Sequence, residues 1–223
     1  IYTLSKGISW ITFQNECAAI RIDDQLCKQG KGITLYSSFK QNLKGDKIYT
    51  VFEDSEGDEW ILTNKGISII GKKQVDSDFP FQYIKEADGI IYLVSQSDKL
   101  ASYNFKTRQF KFIEIPYHVS MINEVKKFDS NTLLLATDNG LIIYKIKEKE
   151  FQLIDIRTST QPSNVVQSVY QDHYKELWIF PQTTGVIRYN PSTKEMQHLF
   201  TPADEVIRYE RKNKNVIFED RQH

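Results

Sequence analysis

Short runs of alternating apolar and polar residues, separated by turn residues, make up most of the chain. The stretch from 48 to 70 reads "IYTVFED", then "EWILT", then "GISII", with an acidic turn and an Asn-Lys pair between the runs. β-Branched and aromatic residues dominate these runs, as they do in half-buried strands. No window of similar length has a convincing helical period. The pattern therefore predicts an all-β protein.

The stretch from 51 to 66, "VFEDSEGDEWILTNKG", recurs along the chain. In the strongest copy, residues 164–200, Asp172 precedes Trp178 by six residues, as Asp54 precedes Trp60. Three weaker copies place a large apolar residue at the tryptophan position. We call these five positions the anchors: Trp10, Trp60, Tyr92, Leu134 and Trp178. They lie 32 to 50 residues apart, a spacing typical of β-propeller blades of four antiparallel strands.

The anchors divide the chain into about five repeat units within one partial propeller domain. Their approximate bounds are 1–40, 41–80, 81–117, 118–160 and 161–205, and a further unit begins in 206–223. In that last segment "NVIFED" repeats the first-strand phrase, with Asp220 at the position of Asp54. We therefore expect the next anchor at position 226, and further blades on one or both sides.

We name the strands of a unit A to D from the propeller axis outwards. The acidic stretch after residue 53 is predicted to be the turn between strands A and B, where Asp and Gly suit the backbone. The anchors begin strand B and are expected to pack between neighbouring blades. Stacking of a sugar ring on Trp10, Trp60 or Trp178 is the alternative.

Composition narrows the function classes. The 29 Lys and Arg residues balance 29 Asp and Glu residues, so no net charge favours nucleic acid or an anionic membrane. The chain contains no apolar run of about 18 residues and no signal peptide is predicted. Cys17 and Cys27 could form a disulfide, but their offset on a C–D hairpin favours free thiols.

Catalytic, metal and cofactor sites are not predicted. Asp54, Glu56 and Asp58 alternate like calcium ligands, but the sixth position of such a loop requires Gly and holds Glu59 here. The four histidines form no His-Glu-x-x-His pair, and there is no Cys-x-x-Cys. Carboxylates cannot be paired for glycoside hydrolysis from sequence alone.

The repeats resemble the two-component regulator propeller repeat. The resemblance is carried by "YTVFEDSEGDEWILTNKGISII", "VQSVYQDHYKELWIFPQTTGVIRYNPSTKEM" and "ATDNGLIIY", and by the "PSN" lead-in at 162–164. Pro181 departs from the pattern, which has Thr after Trp-Ile. The resemblance implies seven-bladed propellers in the periplasmic sensor region of hybrid histidine kinases, which in gut bacteria control polysaccharide-utilisation genes. It also implies an inner-membrane anchor and kinase encoded downstream.

Ligand binding is expected on the B–C loops, because loops on rigid sheets collect recognition residues. Their amides, carboxylates and hydroxyls could bind sugar hydroxyls. The candidates are Asn15, Asn64, Lys65, Gln96, Asp98, Asp138, Asn139, Thr183 and Thr184. Alternatively, these residue types are present only because the turns require them. If they bind ligand, substituting Asn64, Lys65 and Asp138 should weaken glycan binding and leave thermal unfolding unchanged.

The favoured hypothesis is a non-catalytic, oligosaccharide-sensing periplasmic segment of a hybrid two-component regulator. By resemblance it is expected to function as a homodimer in the intact receptor, tethered to the membrane through sequence outside this chain. The balanced charge predicts no nucleic-acid partner, and no motif predicts a cofactor. Two alternatives remain open: a propeller enzyme such as a polysaccharide lyase or sialidase, and a protein-binding scaffold of the WD-repeat kind. Propellers host all three functions.

Overall fold

The computed structural model describes most of the first 199 residues, and these fall into two compact units. Unit 1 is Ile1–Ile113 and unit 2 is Glu114–His223. The described ranges are 1–13, 18–37, 43–45, 47–71, 77–87, 89–95, 97–104, 107, 109–159, 161–183 and 185–199. The expected sixth repeat and its Asp220 lie outside them, as does Cys17. Cys27 is an exposed free cysteine.

Unit 1 contains three antiparallel sheets whose strands follow one another in chain order. Sheet 1 is β1 (Tyr2–Thr3), β2 (Ile8–Thr12), β3 (Ala18–Asp23) and β4 (Ile33–Ser37), with a 3-10 turn at Ser5–Gly7 and a short helix α1 at Asp24–Cys27. Sheet 2 is β5 (Ile48–Glu53), β6 (Glu59–Thr63) and β7 (Gly66–Ile70). Sheet 3 is β8 (Tyr83–Ala87), β9 (Ile90–Val94), β10 (Leu100–Asn104) and β11 (Gln109–Ile113).

Unit 2 contains two further sheets of the same kind. Sheet 4 is β12 (Ile122–Asp129), β13 (Thr132–Thr137), β14 (Gly140–Lys145) and β15 (Glu150–Ile154). Sheet 5 is β16 (Val166–Gln171), β17 (Leu177–Pro181), β18 (Val186–Tyr189) and β19 (Met196–Leu199). The all-β prediction is confirmed, and each anchor lies on the second strand of its sheet.

The acidic stretch after β5 is a hairpin turn organised by Asp54. Its carboxylate accepts hydrogen bonds from the backbone N–H groups of Glu56 and Asp58, each at 3.0 Å, and from the indole N–H of Trp60 at 2.8 Å. In sheet 5, Asp172 accepts in the same way from the backbone of Glu176 and from Trp178 Nε1, both at 2.9 Å. The six-residue spacing between Asp and Trp is therefore the spacing of one hydrogen-bonded hairpin.

This turn geometry explains the acidic residues without a bound cation. The oxygens of Asp54 that a calcium ion would need already accept N–H donors. Among the residues that the structure describes, no group of three or more His, Cys, Asp and Glu side chains could hold a metal ion.

Three anchors lie in apolar clusters shared by two consecutive sheets. Trp10 packs with Val51 and Ile61 of sheet 2. Trp60 belongs to a cluster that includes Ile91 and Leu93 of sheet 3. Burying one such ring, at about 150–250 Å² each, contributes roughly 4–6 kcal/mol as an upper estimate.

The same arrangement occurs in unit 2, where Leu134 of sheet 4 shares a cluster with Val166 and Ile179 of sheet 5. The two remaining anchors differ from one another. Tyr92 is buried at 3% exposure, whereas Trp178 is only half-buried.

Sheet 1 has a shorter first turn with no aspartate, and its anchor finds a different acceptor. Trp10 Nε1 donates to Glu59 Oε2 of sheet 2 at 2.6 Å. Arg21, which pairs with Trp10 across β2 and β3, donates through Nη2 to Glu59 Oε1 at 2.6 Å. The neighbouring sheet thus supplies the carboxylate that the local turn lacks.

Lys175 has a left-handed backbone conformation at the turn of sheet 5. Its N–H bonds the carbonyl of Asp172 as Gly57 N–H bonds that of Asp54, and both residues have positive φ, 67° and 85°. A left-handed backbone costs a non-glycine residue about 1–2 kcal/mol. Replacing that residue with glycine removes this cost, but the larger conformational entropy of glycine in the unfolded chain offsets part of the gain. We expect Lys175→Gly to raise the free energy of unfolding by about 0.5–1 kcal/mol in urea titrations. Lys175→Ala, which removes the same side chain but keeps a Cβ, should give no gain; an equal gain would refute the strain.

Candidate functional site

The B–C loops are the candidate binding surface, and in an antiparallel meander they lie at the opposite end of each sheet from the A–B turns. Three candidates, Asn15, Gln96 and Thr184, lie outside the described residues. The other six lie on four loops, two loops in each unit. The loops of unit 1 and the loops of unit 2 belong to two separate compact units.

Asn64 and Asp138 hold the chain that enters their own sheet. Asn64 Oδ1 accepts the N–H of Lys47 at 3.1 Å, and its own N–H donates to the Lys47 carbonyl at 3.0 Å. Asp138 accepts the N–H of Ser120 at 3.1 Å and donates its N–H to the carbonyl of Met121 at 3.0 Å. These side chains fix the start of the inner strand, so the expectation that their substitution leaves unfolding unchanged is not supported.

The Thr that ends strand B closes the same loop. Thr63 and Thr137 donate their hydroxyls to the carbonyls of Gly66 and Gly140, at 2.9 and 2.7 Å. Their Oγ1 atoms in turn accept the N–H groups of Lys65 and Asn139. Asn139 Nδ2 also donates to the carbonyl of His118 at 2.9 Å. Many polar groups of these loops therefore form hydrogen bonds within the protein that stabilise the turn.

Asn164 links two consecutive sheets of unit 2 and was identified from sequence only as part of a lead-in motif. It is 8% exposed, and its Nδ2 donates to Asn139 Oδ1 at 3.1 Å. Its Oδ1 accepts the N–H of Ile156 at 2.9 Å, and its carbonyl accepts the N–H of Gly140 at 2.6 Å. The role depends on contacts with distant loops, which no local pattern shows.

Asp98 lies on the loop of sheet 3 and is bonded to its neighbour. Lys99 Nζ donates to Asp98 Oδ2 at 3.0 Å. This hydrogen bond is the main reason that the pKa of Asp98 is lowered below its ordinary value. With both side chains about half exposed, at 44% and 50%, the pair remains open to solvent.

Among the described residues of unit 2, three side-chain atoms are buried without a hydrogen-bond partner, and one of them is Gln171 Nε2 in β16; the other two lie near the B–C loop of sheet 5. Gln161, on the connection between sheets 4 and 5, is 3% exposed, and its Nε2 has no partner. Thr183, on the B–C loop of sheet 5, has a buried Oγ1 that also lacks one. The two segments are joined by the hydrogen bond from Gln182 N to the Val165 carbonyl at 2.8 Å. Buried polar groups normally have partners, so Gln161 Nε2 and Thr183 Oγ1 each have unused hydrogen-bonding capacity. Thr183 was among the candidate ligand-binding residues from the sequence, whereas Gln161 was not.

The tryptophans offer little surface for sugar stacking. Trp10 and Trp60 are 0% exposed, so neither presents a ring face to a ligand. The half-buried Trp178 has Arg188 over its ring at 6.0 Å, and Arg188 Nε bonds Glu176 Oε2 at 2.5 Å. A cavity of about 450 Å³ adjoins Glu176 and Arg188 at the turn end of sheet 5, away from the B–C loops.

No helix among the described residues is long and apolar enough to cross a membrane.

Comparison with known proteins identifies the fold. No protein-family profile matches the chain. The extracellular domain of the hybrid two-component system BT3049 from B. thetaiotaomicron matches with TM-score 0.61 and 20% identity, over 83% of this chain and 25% of that one. The extracellular domain of BT4673 from the same organism gives TM-score 0.63 and 19% identity, over 90% and 27%. The β-propeller fold predicted from the repeats is confirmed.

Two further matches bear on function. Histidine kinase P4 of Formosa agariphila is 22% identical over 156 residues, 70% of this chain and 9% of that protein. Virginiamycin B lyase of Staphylococcus aureus matches with TM-score 0.61 and 17% identity, over 87% of this chain and 67% of that one. The resemblance to two-component regulator propellers is confirmed by the extracellular domains and the kinase. The chain spans about a quarter or less of the length of those proteins. The lyase shows that an enzyme can share the fold.

Asn64 provides a test of whether the B–C loop amides are structural. Asn64→Ala removes the acceptor of Lys47 N–H, and we expect it to lower the free energy of unfolding by about 1–2 kcal/mol. Lys65→Ala, in the same loop, keeps the hydrogen bond from Lys65 N to Thr63 Oγ1 and should change stability by less than about 0.5 kcal/mol. Urea unfolding of both variants measures the difference. Equal effects of the two substitutions would contradict the structural role of Asn64.

Proposed function

We propose that this chain is the ligand-sensing part of a periplasmic propeller in a hybrid two-component regulator, and that its ligand is an oligosaccharide. Support comes from the matches to two extracellular domains of hybrid two-component systems and to a histidine kinase. The intact receptor would be tethered to the inner membrane and would signal as a homodimer.

The observation that carries the ligand proposal is that Gln161 Nε2 and Thr183 Oγ1, on two connected segments of unit 2, are buried without a hydrogen-bond partner. Gln161 Nε2 is a hydrogen-bond donor, and the Thr183 hydroxyl both donates and accepts. Sugar hydroxyls also do both, so they complement such groups without needing a charged side chain. Asn64, Asp138 and Asn139 already bond the protein backbone, which makes them supports of the loop surface.

An enzyme of the lyase type is the second candidate, favoured by the match to virginiamycin B lyase. Sequence identity of 17% supports only the shared fold. The cavity at the turn end of sheet 5 is lined by two carboxylates, Glu176 and Glu195, but Glu176 already accepts the Arg188 Nε donor. We therefore place sensing ahead of catalysis.

Thr183→Val tests the ligand site directly. Replacing an unpartnered buried hydroxyl by a methyl group should leave the free energy of unfolding unchanged or slightly raised. We expect the same variant to weaken oligosaccharide binding about tenfold, as loss of one hydrogen bond does. Isothermal titration calorimetry with a panel of defined plant and host oligosaccharides measures the change in affinity. Ser192→Ala, at the opposite end of sheet 5, is the control variant.

The outcomes separate the candidates. Binding without a change in the sugar, weakened in Thr183→Val and unchanged in Ser192→Ala, supports the sensor. New unsaturated or reducing ends, detected by mass spectrometry, would instead support the enzyme. Binding that both variants retain in full would contradict the assignment of Thr183, and no binding to any member of the panel would contradict the oligosaccharide.

A further inference from the structure

Each interface between consecutive sheets of unit 1 contains the same contact between a serine and a glutamate. Ser5, in the first turn of sheet 1, donates its backbone N–H to Glu53 Oε2 at 2.6 Å and its hydroxyl to Oε1 at 2.5 Å. Ser55, in the first turn of sheet 2, donates to Glu86 Oε2 at 2.7 Å and to Oε1 at 2.5 Å. Both carboxylate oxygens are used each time, and they take the same donors.

The two glutamates occupy equivalent places in their sheets. Phe52 pairs with the anchor Trp60, and Glu53 follows it; Lys85 pairs with the anchor Tyr92, and Glu86 follows it. Each glutamate thus leaves the inner strand one residue beyond the anchor pair, facing the turn of the preceding sheet. Hydrogen bonds to a carboxylate are about twice as strong as those between neutral groups.

Unit 2 has a serine in the first turn of sheet 4 but lacks the glutamate. Ser130 lies four residues after Lys126, the partner of the anchor Leu134, and a register shift lies between them; Ser5 and Ser55 each lie three residues after their anchor's partner. The position after the anchor pair of Tyr170 with Trp178 holds Gln171. An amide has one acceptor oxygen and one nitrogen that only donates, so it cannot take two donors on two atoms. Gln171 Nε2 is buried and has no hydrogen-bond partner, which marks the mismatch.

We propose that the serine–glutamate contact is a repeated clasp that joins the first turn of one sheet to the inner strand of the next. In unit 1 it closes two consecutive interfaces through Ser5–Glu53 and Ser55–Glu86. Between sheets 4 and 5 the clasp is incomplete because residue 171 is an amide. There the inner strands are joined by other bonds, from Asn123 Nδ2 to the Val166 carbonyl at 2.8 Å and from Val169 N to Glu124 Oε2 at 3.0 Å.

A double-mutant cycle tests the clasp in unit 1. We expect Ser55→Ala and Glu86→Gln each to lower the folding equilibrium constant about tenfold, because each removes a charge-assisted hydrogen bond. The double variant should lower it about as much as Glu86→Gln alone, since Ser55→Ala removes only the hydroxyl bond, which Glu86→Gln already disrupts. Urea unfolding gives the three values. Effects that multiply to about a hundredfold would show that the two residues act independently and would overturn the proposal.

The missing clasp in unit 2 provides a gain-of-function test. Gln171→Glu should raise the folding equilibrium constant about three- to tenfold by completing the pair with Ser130. The same change in a Ser130→Ala background should give no gain. A gain that does not depend on Ser130, or a loss in both backgrounds, would contradict an equivalent clasp between sheets 4 and 5.

Discussion

A tryptophan wedged between two sheets must find an acceptor for its indole N–H, because a buried donor without a partner costs free energy that the packing has to offset. In sheets 2 and 5 that acceptor is the aspartate six residues earlier, which also holds its own hairpin turn. In sheet 1 the turn is too short to contain it, and Glu59 of the next sheet takes its place. The anchors of sheets 3 and 4, Tyr92 and Leu134, have no indole and need no such acceptor.

Apolar packing of the anchors is a second reason why consecutive sheets depend on one another. Trp10, Trp60 and Leu134 each belong to an apolar cluster that the following sheet completes, as Trp60 does with Ile91 and Leu93. Polar contacts then fix the two ends of the interface. At the turn end these are the serine–glutamate clasps of unit 1, and at the loop end of unit 2 they are the bonds of Asn164 to Asn139 and Gly140. Asn64, Asp138 and Asn139 on the B–C loops therefore support the local backbone, whereas Thr183 on the B–C loop of sheet 5 and Gln161 on the connection between sheets 4 and 5 have polar atoms without partners.

The repeat architecture could be predicted from the sequence because its signals are local. Strands 59–63 and 66–70 were predicted with the bounds that the structure shows, and the Asp54–Trp60 spacing reflects one hairpin. The site was less predictable. Asn64 and Asp138 have the residue types of a ligand rim, yet they bond backbone groups 17 and 18 residues away. Three features could not be predicted: the burial of Gln161, the Ser55–Glu86 contact and the role of Asn164. Each depends on which loops and sheets meet, and neither periodicity nor turn chemistry contains that information.

Hydrogen exchange of a Trp60→Phe variant tests most directly whether the anchor couples its sheet to the next one. The change removes the indole N–H bonded by Asp54 and reduces the surface that fills the cluster with sheet 3. The account predicts faster exchange of backbone amides in β5 and β6 of sheet 2. It also predicts faster exchange in β9 and β10 of sheet 3, whose strands do not pair with the strand that contains Trp60. Faster exchange confined to sheet 2, with β9 and β10 as protected as in the unmodified protein, would contradict it.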